Sequence, residues 1–256
     1  MEKQNKFIII LPMYNVGEWI GLALHTLRLQ TYSNFFCVLL DDASTDDTYS
    51  IANQAIQGDK RFELIQNSIR TGSQLGNGLK CLDHCKLDGE EIVIFHDGDD
   101  WLTSTHVLDY LDKIYSFYDC WMTYGNWINY PHQETGDHML IPIPDEVDNR
   151  IDGYRSFPFI FTHLRTSKAF LWKALNREDL RDPSTGEFFN SASDVAVQLP
   201  FIEMCRKEKA YCINEPLLSL NRSNVENVAN SRLSEQKKNE SYIRSLKPYT
   251  KYESIK

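Results

Sequence analysis

Three carboxylates, Asp97, Asp99 and Asp100, fall within four positions after the apolar run Ile92–Phe95, with Gly98 between the first two. Like charges this close repel, unless a cation is their missing partner. A hard divalent ion takes carboxylate oxygens and shares its shell with phosphate oxygens. Asp97 and Asp99 can face one ligand from a tight turn, and Gly98 lets a backbone approach closely. One or two such carboxylates plus a diphosphate complete a Mg²⁺ or Mn²⁺ shell. Asp-Gly-Asp is also a common turn and cap sequence, so the triplet alone decides nothing. A second acidic pair, Asp41–Asp42, ends the earlier apolar run Phe35–Leu40 and weighs toward a ligand.

The elements that position these acids alternate. Apolar runs over 7–11, 35–40, 62–67 and 91–97 predict four buried strands. Helical spacing over 18–29 and 76–84, and the segment opened by Ser44 or Thr45 with Asp46 and Asp47 in its first turn, predict helices between them. Strand–helix repetition with fully apolar strands predicts an α/β fold with a mostly parallel sheet covered on both faces. Ligands of such sheets bind beyond the carboxyl ends of the strands, where both acidic clusters stand. Beyond Leu102 the pattern loosens. Residues 105–117 read as helix, 121–130 as aromatic and partly strand, 131–152 as loop. A short strand and helix follow over 157–175, then a polar loop over 182–193. A helix over 194–205 is bent or entered at Pro200, and a last strand covers 210–221. The aromatic 121–130 segment reads as core, with an acceptor groove as the alternative.

The chain of 256 residues carries a net charge of −9, and 42% of its residues are hydrophobic, enough for a core without staples. An acidic chain repels phosphate backbones, which argues against a nucleic-acid partner. Six scattered cysteines without a Cys-x-x-Cys pair read as reduced thiols, which suits a cytoplasmic location. Cys81, His84 and Cys85 lie on a helical pattern with no second ligand pair, and read as a helix face rather than zinc ligands. No run is long enough to span a membrane; Phe7–Leu11 stops at Pro12. Residues 235–256 hold six Lys or Arg against three Glu. They read as a solvated, frayed terminus, with a peripheral membrane contact as the alternative.

Taken in order, the motifs resemble family 2 glycosyltransferases of the GT-A fold. "LPMYNVGEWI", "LRLQTYSNF", "LLDDASTDDT" (Ala43 where glycine is usual) and "HDGDDWL" follow the family's succession over residues 6–105. "THLRTSK", "SDVAVQLPFIEMC" and "INEPLLSLN" extend it more loosely to about residue 225. The resemblance implies a single GT-A domain over 1–220, with a nucleotide-sugar half at 1–105, an acceptor half at 106–220 and a polar tail at 221–256. It implies an inverting, metal-dependent transferase that takes a nucleotide-diphosphate sugar, UDP-linked, and passes the sugar to a glycan, lipid or protein hydroxyl.

The resemblance also assigns roles. Pro12, Tyr14, Asn15 and Asp41 or Asp42 would form the donor's nucleotide site, the ring by stacking and a carboxylate by accepting the base N–H. Arg70 would reach the base or a phosphate. Asp97, with Gly98, would hold the ribose or a metal water, and Asp99 the metal. Asp100 reads as a turn residue. His163 and Arg165 would face the diphosphate, and Asp194 would be the general base. The structural alternatives are an N-cap role for Asp194, a surface role for Arg70, a helix-entry role for His163 and Arg165, core packing for Tyr14 and strand-end capping for the others. One departure stands out: the family's Ala-Arg-Asn is replaced by Leu75-Gly76-Asn77, leaving Arg70 or Arg165 to substitute.

Two other classes share some of these features. A nucleotidyltransferase also gathers Asp and a metal at sheet ends, but carries a Gly-rich, basic loop after its first strand, which "PMYNVGEWI" lacks. A catalytically silent nucleotide-sugar or glycan-binding module is the third reading, separated by donor hydrolysis.

Overall fold

A computed structural model of the chain describes residues 4–224 and 233–253. The strands are β1 (Phe7–Met13), β2 (Phe35–Asp41), β3 (Phe62–Gln66), β4 (Ile92–Phe95), β5 (Trp101–Leu102), β6 (Met122–Tyr130), β7 (Thr166–Lys168) and β8 (Ala210–Asn221). The helices are α1 (Gly17–Arg28), α2 (Thr48–Ile56), α3 (Gln74–Cys85), α4 (Val107–Tyr118), α5 (Asp145–Asn149), α6 (Gly153–Ser156), α7 (Ala169–Ala174), α8 (Ser193–Cys205) and α9 (Leu233–Ser245). The strands form one eight-stranded sheet ordered β3-β2-β1-β4-β7-β6-β8-β5. The first four strands are parallel, β7 is antiparallel to both its neighbours, and β6 and β8 pair in parallel.

Alternation along the strands builds a core on each face. Ile8, Ile10, Val38, Leu40 and Val93 pack under α3, α7 and α8; Phe7, Ile9, Leu11, Cys37, Leu39 and Ile94 pack under α1 and α4. α1 meets the second core with Ile20, Ala23, Leu24 and Leu27, the spacing of one helical face. Register aligns the strand ends. Met13 pairs with Asp41 and Ile10 with Phe95, so the loops after β1, β2 and β4 leave the sheet at one edge.

Three elements differ from the sequence reading. The 131–152 stretch is not all loop: it holds α5 and a short 3₁₀ turn at Asp137–Met139. α8 runs unbroken through Pro200, because Val195 to Cys205 are all buried and packing on every side outweighs the lost hydrogen bond. The end of the chain, read as a solvated tail, is packed. Within the 221–256 tail, residues 225–232 and 254–256 lie outside the described residues. In the rest, Ile243 is buried in the core, and the Tyr252 ring lies 4.8 Å from Phe170. Buried Arg155 grips Glu203 with two hydrogen bonds (2.6 and 2.9 Å) and also donates to the Ile243 carbonyl; Glu203 in turn accepts from the Tyr249 amide at 2.9 Å. The apolar content that docks this segment is small, but long-range polar partners complete it. Among the described residues no helix is long and apolar enough to cross a membrane.

Candidate active site

The site starts at the shared strand edge. After β1 the chain turns at Asn15, whose φ of 49° is a left-handed conformation that asparagine tolerates. Its amide donates to Ser44 Oγ at 3.0 Å and its Oδ1 accepts from the Thr45 amide at 2.9 Å. Asn15 thus ties the first turn to the second and does not line the cavity beside it. Asp41 is also withdrawn: fully buried, its Oδ2 accepts from Gln66 at 2.8 Å and from the Ser44 amide at 3.2 Å.

Asp42 faces the other way. It accepts from the amides of Thr71 and Gly72, both at 2.8 Å, and from Asn67 at 2.7 Å. Burial alone would raise this carboxyl, but these donors outweigh it and hold it below its usual value. Asp42 therefore shapes the 67–73 loop and, with Pro12, Tyr14, Arg70 and Asp97 to Asp100, lines a cavity of about 250 Å³. The Arg70 guanidinium lies 3.6 Å from the Tyr14 ring centroid, a cation–π contact at the cavity wall. Gly98 packs closely there: a Cβ would stand 3.1 Å from Val16 and 3.2 Å from Met13, so these side chains would have to give by a few tenths of an ångström.

The three carboxylates after β4 have separate environments. Asp97 accepts from Gln74, and burial, then the Asp99 charge, push it up to about 6. Asp99 is raised by burial and accepts from Asn224 at 2.8 Å. Asp100, 2% exposed, accepts from the Asn221 amide at 2.8 Å, which anchors the turn to β8 and leaves its other oxygen without a partner. Burial raises all three, and neighbouring carboxylate charge adds to it at Asp97 and Asp100, a cost that a divalent cation would relieve. The hard-oxygen donors of Asp97 and Asp99 suit Mn²⁺ or Mg²⁺. Among the described residues no group of three or more His, Cys, Asp or Glu side chains converges on one point. The pair would therefore share the ion with oxygens from a ligand and water.

A smaller cavity of about 60 Å³ adjoins the first, sharing Gln74 and Asp97 with it; Arg165 and Asp194 also line it. Asp194 is not the cap of α8. That position is Ala192, left-handed at φ 57°, with no side-chain cap bond. Asp194 stands in the first turn, where its Oδ2 accepts from Arg165 Nη1 at 3.0 Å. Arg165 also donates from Nη2 to His163 Nε2 at 2.7 Å. Burial, then the Arg165 charge, hold His163 well below its usual pKa, so the ring is neutral and its Nε2 is free to accept. His163 lines neither cavity and stands behind Arg165.

The structure thus brings Pro12, Tyr14, Asp42, Arg70, Asp97, Gly98 and Asp99 to one cavity, and Asp97, Arg165 and Asp194 to the next. It leaves Asn15, Asp41 and His163 in supporting positions. Of the two candidates for the missing arginine, Arg70 is at the outer cavity and Arg165 at the inner one. Gln74, Asn224 and Gln198 are the site residues that sequence reasoning missed. Ser73, which caps α3 through the Gly76 amide at 3.0 Å, is a cap signal that points to the helix start and hence to Gln74. Asn224 and Gln198 carry no comparable signal.

The sequence profile described as "Glycosyl transferase family 2" matches residues 8–175. Glycosyltransferase GlyA of Streptococcus pneumoniae serotype 4 is 25% identical over 232 residues, covering 86% of this chain and 30% of GlyA. The chain spans under half the length of the first curated relatives it matches. Among solved structures, S. aureus TarS 1–349 in complex with UDP-GlcNAc superposes with a TM-score of 0.65 at 16% identity, over 88% of this chain and 61% of TarS 1–349. Mannosyltransferase PcManGT from Pyrobaculum calidifontis, in complex with GDP-Man and Mn²⁺, gives 0.56 at 18% identity, over 84% of this chain and 56% of that one. At these identities the two structures establish the shared GT-A fold.

Proposed function

This chain belongs to glycosyl transferase family 2, and on that premise we propose that it moves a sugar from a UDP-linked donor to an acceptor hydroxyl by single displacement with inversion. The observation that carries the reading is Asp97, which lines both cavities, with Asp99 beside it in the larger and Asp194 in the smaller. A nucleotide in the larger cavity and its sugar in the smaller would put the scissile bond near Asp97. The 1–105 half then supplies the donor site and the 106–220 half the acceptor side.

In this reading the Tyr14 ring and the Asp42 carboxylate face the base, and Arg70 turns from Tyr14 to the nucleotide. Asp194 takes the acceptor proton as the acceptor oxygen attacks the anomeric carbon, and the bond to the diphosphate oxygen breaks with its electrons leaving on the diphosphate. Arg165, which donates to Asp194 Oδ2, keeps the carboxylate aimed. Asp99 with Asp97 would hold Mn²⁺ or Mg²⁺, which when bound spreads the charge that grows on the diphosphate. The nucleotide-sugar ligands of the two solved neighbours, UDP-GlcNAc in one and GDP-Man with Mn²⁺ in the other, are of the donor class assigned to this chain.

Calorimetric titration with a panel of nucleotide sugars, with and without Mn²⁺, tests the reading. UDP-sugars are expected to bind at least about tenfold tighter with the metal, a difference of about 1.4 kcal/mol. Asp99→Ala should remove that difference. Binding of no nucleotide sugar under either condition overturns the proposal.

A further inference from the structure

Two hydrogen-bond donors near the site are used by neither cavity. Arg165 Nη2 can only donate, so His163 Nε2 accepts, and the neutral ring carries its one proton on Nδ1. That Nδ1–H has no hydrogen-bond partner among the described residues, and it is not buried: the ring presents a donor in a fixed tautomer. Arg222 is exposed, and its Nε donates to Asn129 Oδ1 at 3.1 Å. This bond orients the guanidinium and leaves both Nη groups without a partner among the described residues. Its charge reaches Asp100, but that carboxyl is 2% exposed and raised by burial, and no ion pair joins the two.

Both donors adjoin one indole. The Trp127 ring meets the His163 ring edge to face with centroids 6.5 Å apart, and its Nε1 donates to the same Asn129 Oδ1 at 2.9 Å. Register pairs Trp127 with Leu218 and Asn129 with Leu220, so Trp127 and Asn129 share one face of the sheet with the Arg222 that follows β8. A chain of contacts thus runs from Asp194 through Arg165, His163, Trp127 and Asn129 to Arg222. At its far end the backbone crosses the 97–100 turn: the Asn221 amide donates to Asp100 and Asn224 to Asp99, both at 2.8 Å. Neither His163 nor Arg222 lines the two cavities that the donor fills. Donors linked to the base but outside the space of one substrate are placed for the other. Their number sets the chemistry. The arginine fork serves two oxygens, and the imidazole N–H adds a third contact. A carboxylate has only two oxygens, whereas a phosphate presents a third.

We propose that Arg222 and His163 bind a phosphate group carried by the acceptor, beside the hydroxyl that Asp194 deprotonates. The inference rests on the reading of Asp194 as the base and of the cavities as the donor site. It is tested by NMR of the ¹⁵N-labelled protein, saturated with UDP and Mg²⁺, through the His163 imidazole signals, assigned by their loss in His163→Gln. Inorganic phosphate should shift these signals saturably and bind at least about fivefold more tightly than acetate at equal ionic strength. Dimethyl phosphate, run beside it, separates a phosphodiester within a chain from a terminal phosphate, and tighter binding of either supports the proposal. Arg222→Gln should weaken phosphate binding by about tenfold, a loss of about 1.4 kcal/mol, while UDP affinity stays within about twofold. No saturable response, or a folded Arg222→Gln protein with unchanged phosphate affinity, overturns the site. Equal binding of acetate overturns the phosphate class. A loss of UDP affinity in Arg222→Gln moves the arginine to the donor's diphosphate and overturns the acceptor assignment. The same titration without UDP keeps the two readings apart: if UDP itself does not bind, the donor reading falls, and the phosphate response is still measured.

Discussion

Arg165 Nη1 donates to Asp194 Oδ2 across 3.0 Å, joining the segment that leads into β7 to the first turn of α8. The side chains remain 17% and 36% exposed, so solvent screens the pair and its contribution to folding is small. Its consequence is positional: with the Val195 amide donating to Oδ1 at 2.9 Å, it fixes the orientation of the Asp194 carboxylate beside the inner cavity.

Arg165→Ala should therefore lower kcat for transfer, or for donor hydrolysis, by about 10- to 100-fold, with melting temperature little changed. Arg165→Lys should restore part of the rate, since a point charge replaces one arm of the guanidinium fork. Steady-state kinetics beside a thermal melt separates this from a structural role. A loss of stability matching the loss of rate would assign Arg165 to the fold.

Asp42 gives a prediction in pH. Its carboxyl lies below the usual 3.8 in the folded chain, because donors from Thr71, Asn67 and Gly72 outweigh burial. The folded protein thus binds this proton more weakly than the unfolded chain. The stability it adds is complete above the usual value and is lost as pH falls through the lowered folded value. Asp42→Asn should flatten that part of the acid limb in urea-midpoint measurements below about pH 4, and cost about 1–3 kcal/mol at neutral pH from unpaired donors. An unchanged acid limb would contradict this account of the 67–73 loop.

Arg155 and Glu203 carry the docking of the C-terminal segment. Arg155→Ala leaves a buried carboxylate and should cost about 3–5 kcal/mol in urea unfolding, whereas Arg155→Met with Glu203→Leu should come much closer to neutral. Equal loss in the single and double variants would mean that shape, not charge, holds α9.

The parallel half of the sheet was legible because its strands are short continuous apolar runs, and because register in a buried sheet aligns their ends. That alignment also made the acidic clusters at 41–42 and 97–100 readable as neighbours. Direction was harder. Asp41 and Asp42 are adjacent and face opposite ways, and only the loop donated by Thr71 and Gly72 shows which faces the cavity. Asn15 sits within a family motif, yet its side chain serves the 44–45 turn. The C-terminal helix was missed because Ile243 is its one buried apolar side chain, too thin a periodic signal, and its anchor is an ion pair between positions 155 and 203. Gln198 was missed for a similar reason: an unpaired amide is a property of its surroundings, and its sequence neighbours read only as helix.

The central claim is that Asp99 and Asp194 serve one nucleotide-sugar reaction from two sides. Its most direct measurement is UDP release from a UDP-sugar in Mn²⁺ by the wild-type, Asp99→Ala and Asp194→Asn proteins, with donor affinity measured in parallel. The wild-type protein should release UDP, and Asp99→Ala should lose metal-dependent turnover. Asp194→Asn should keep its donor affinity while turnover falls by about 10²- to 10⁴-fold. Wild-type turnover in Asp194→Asn, or no UDP release from the wild-type protein, would contradict it.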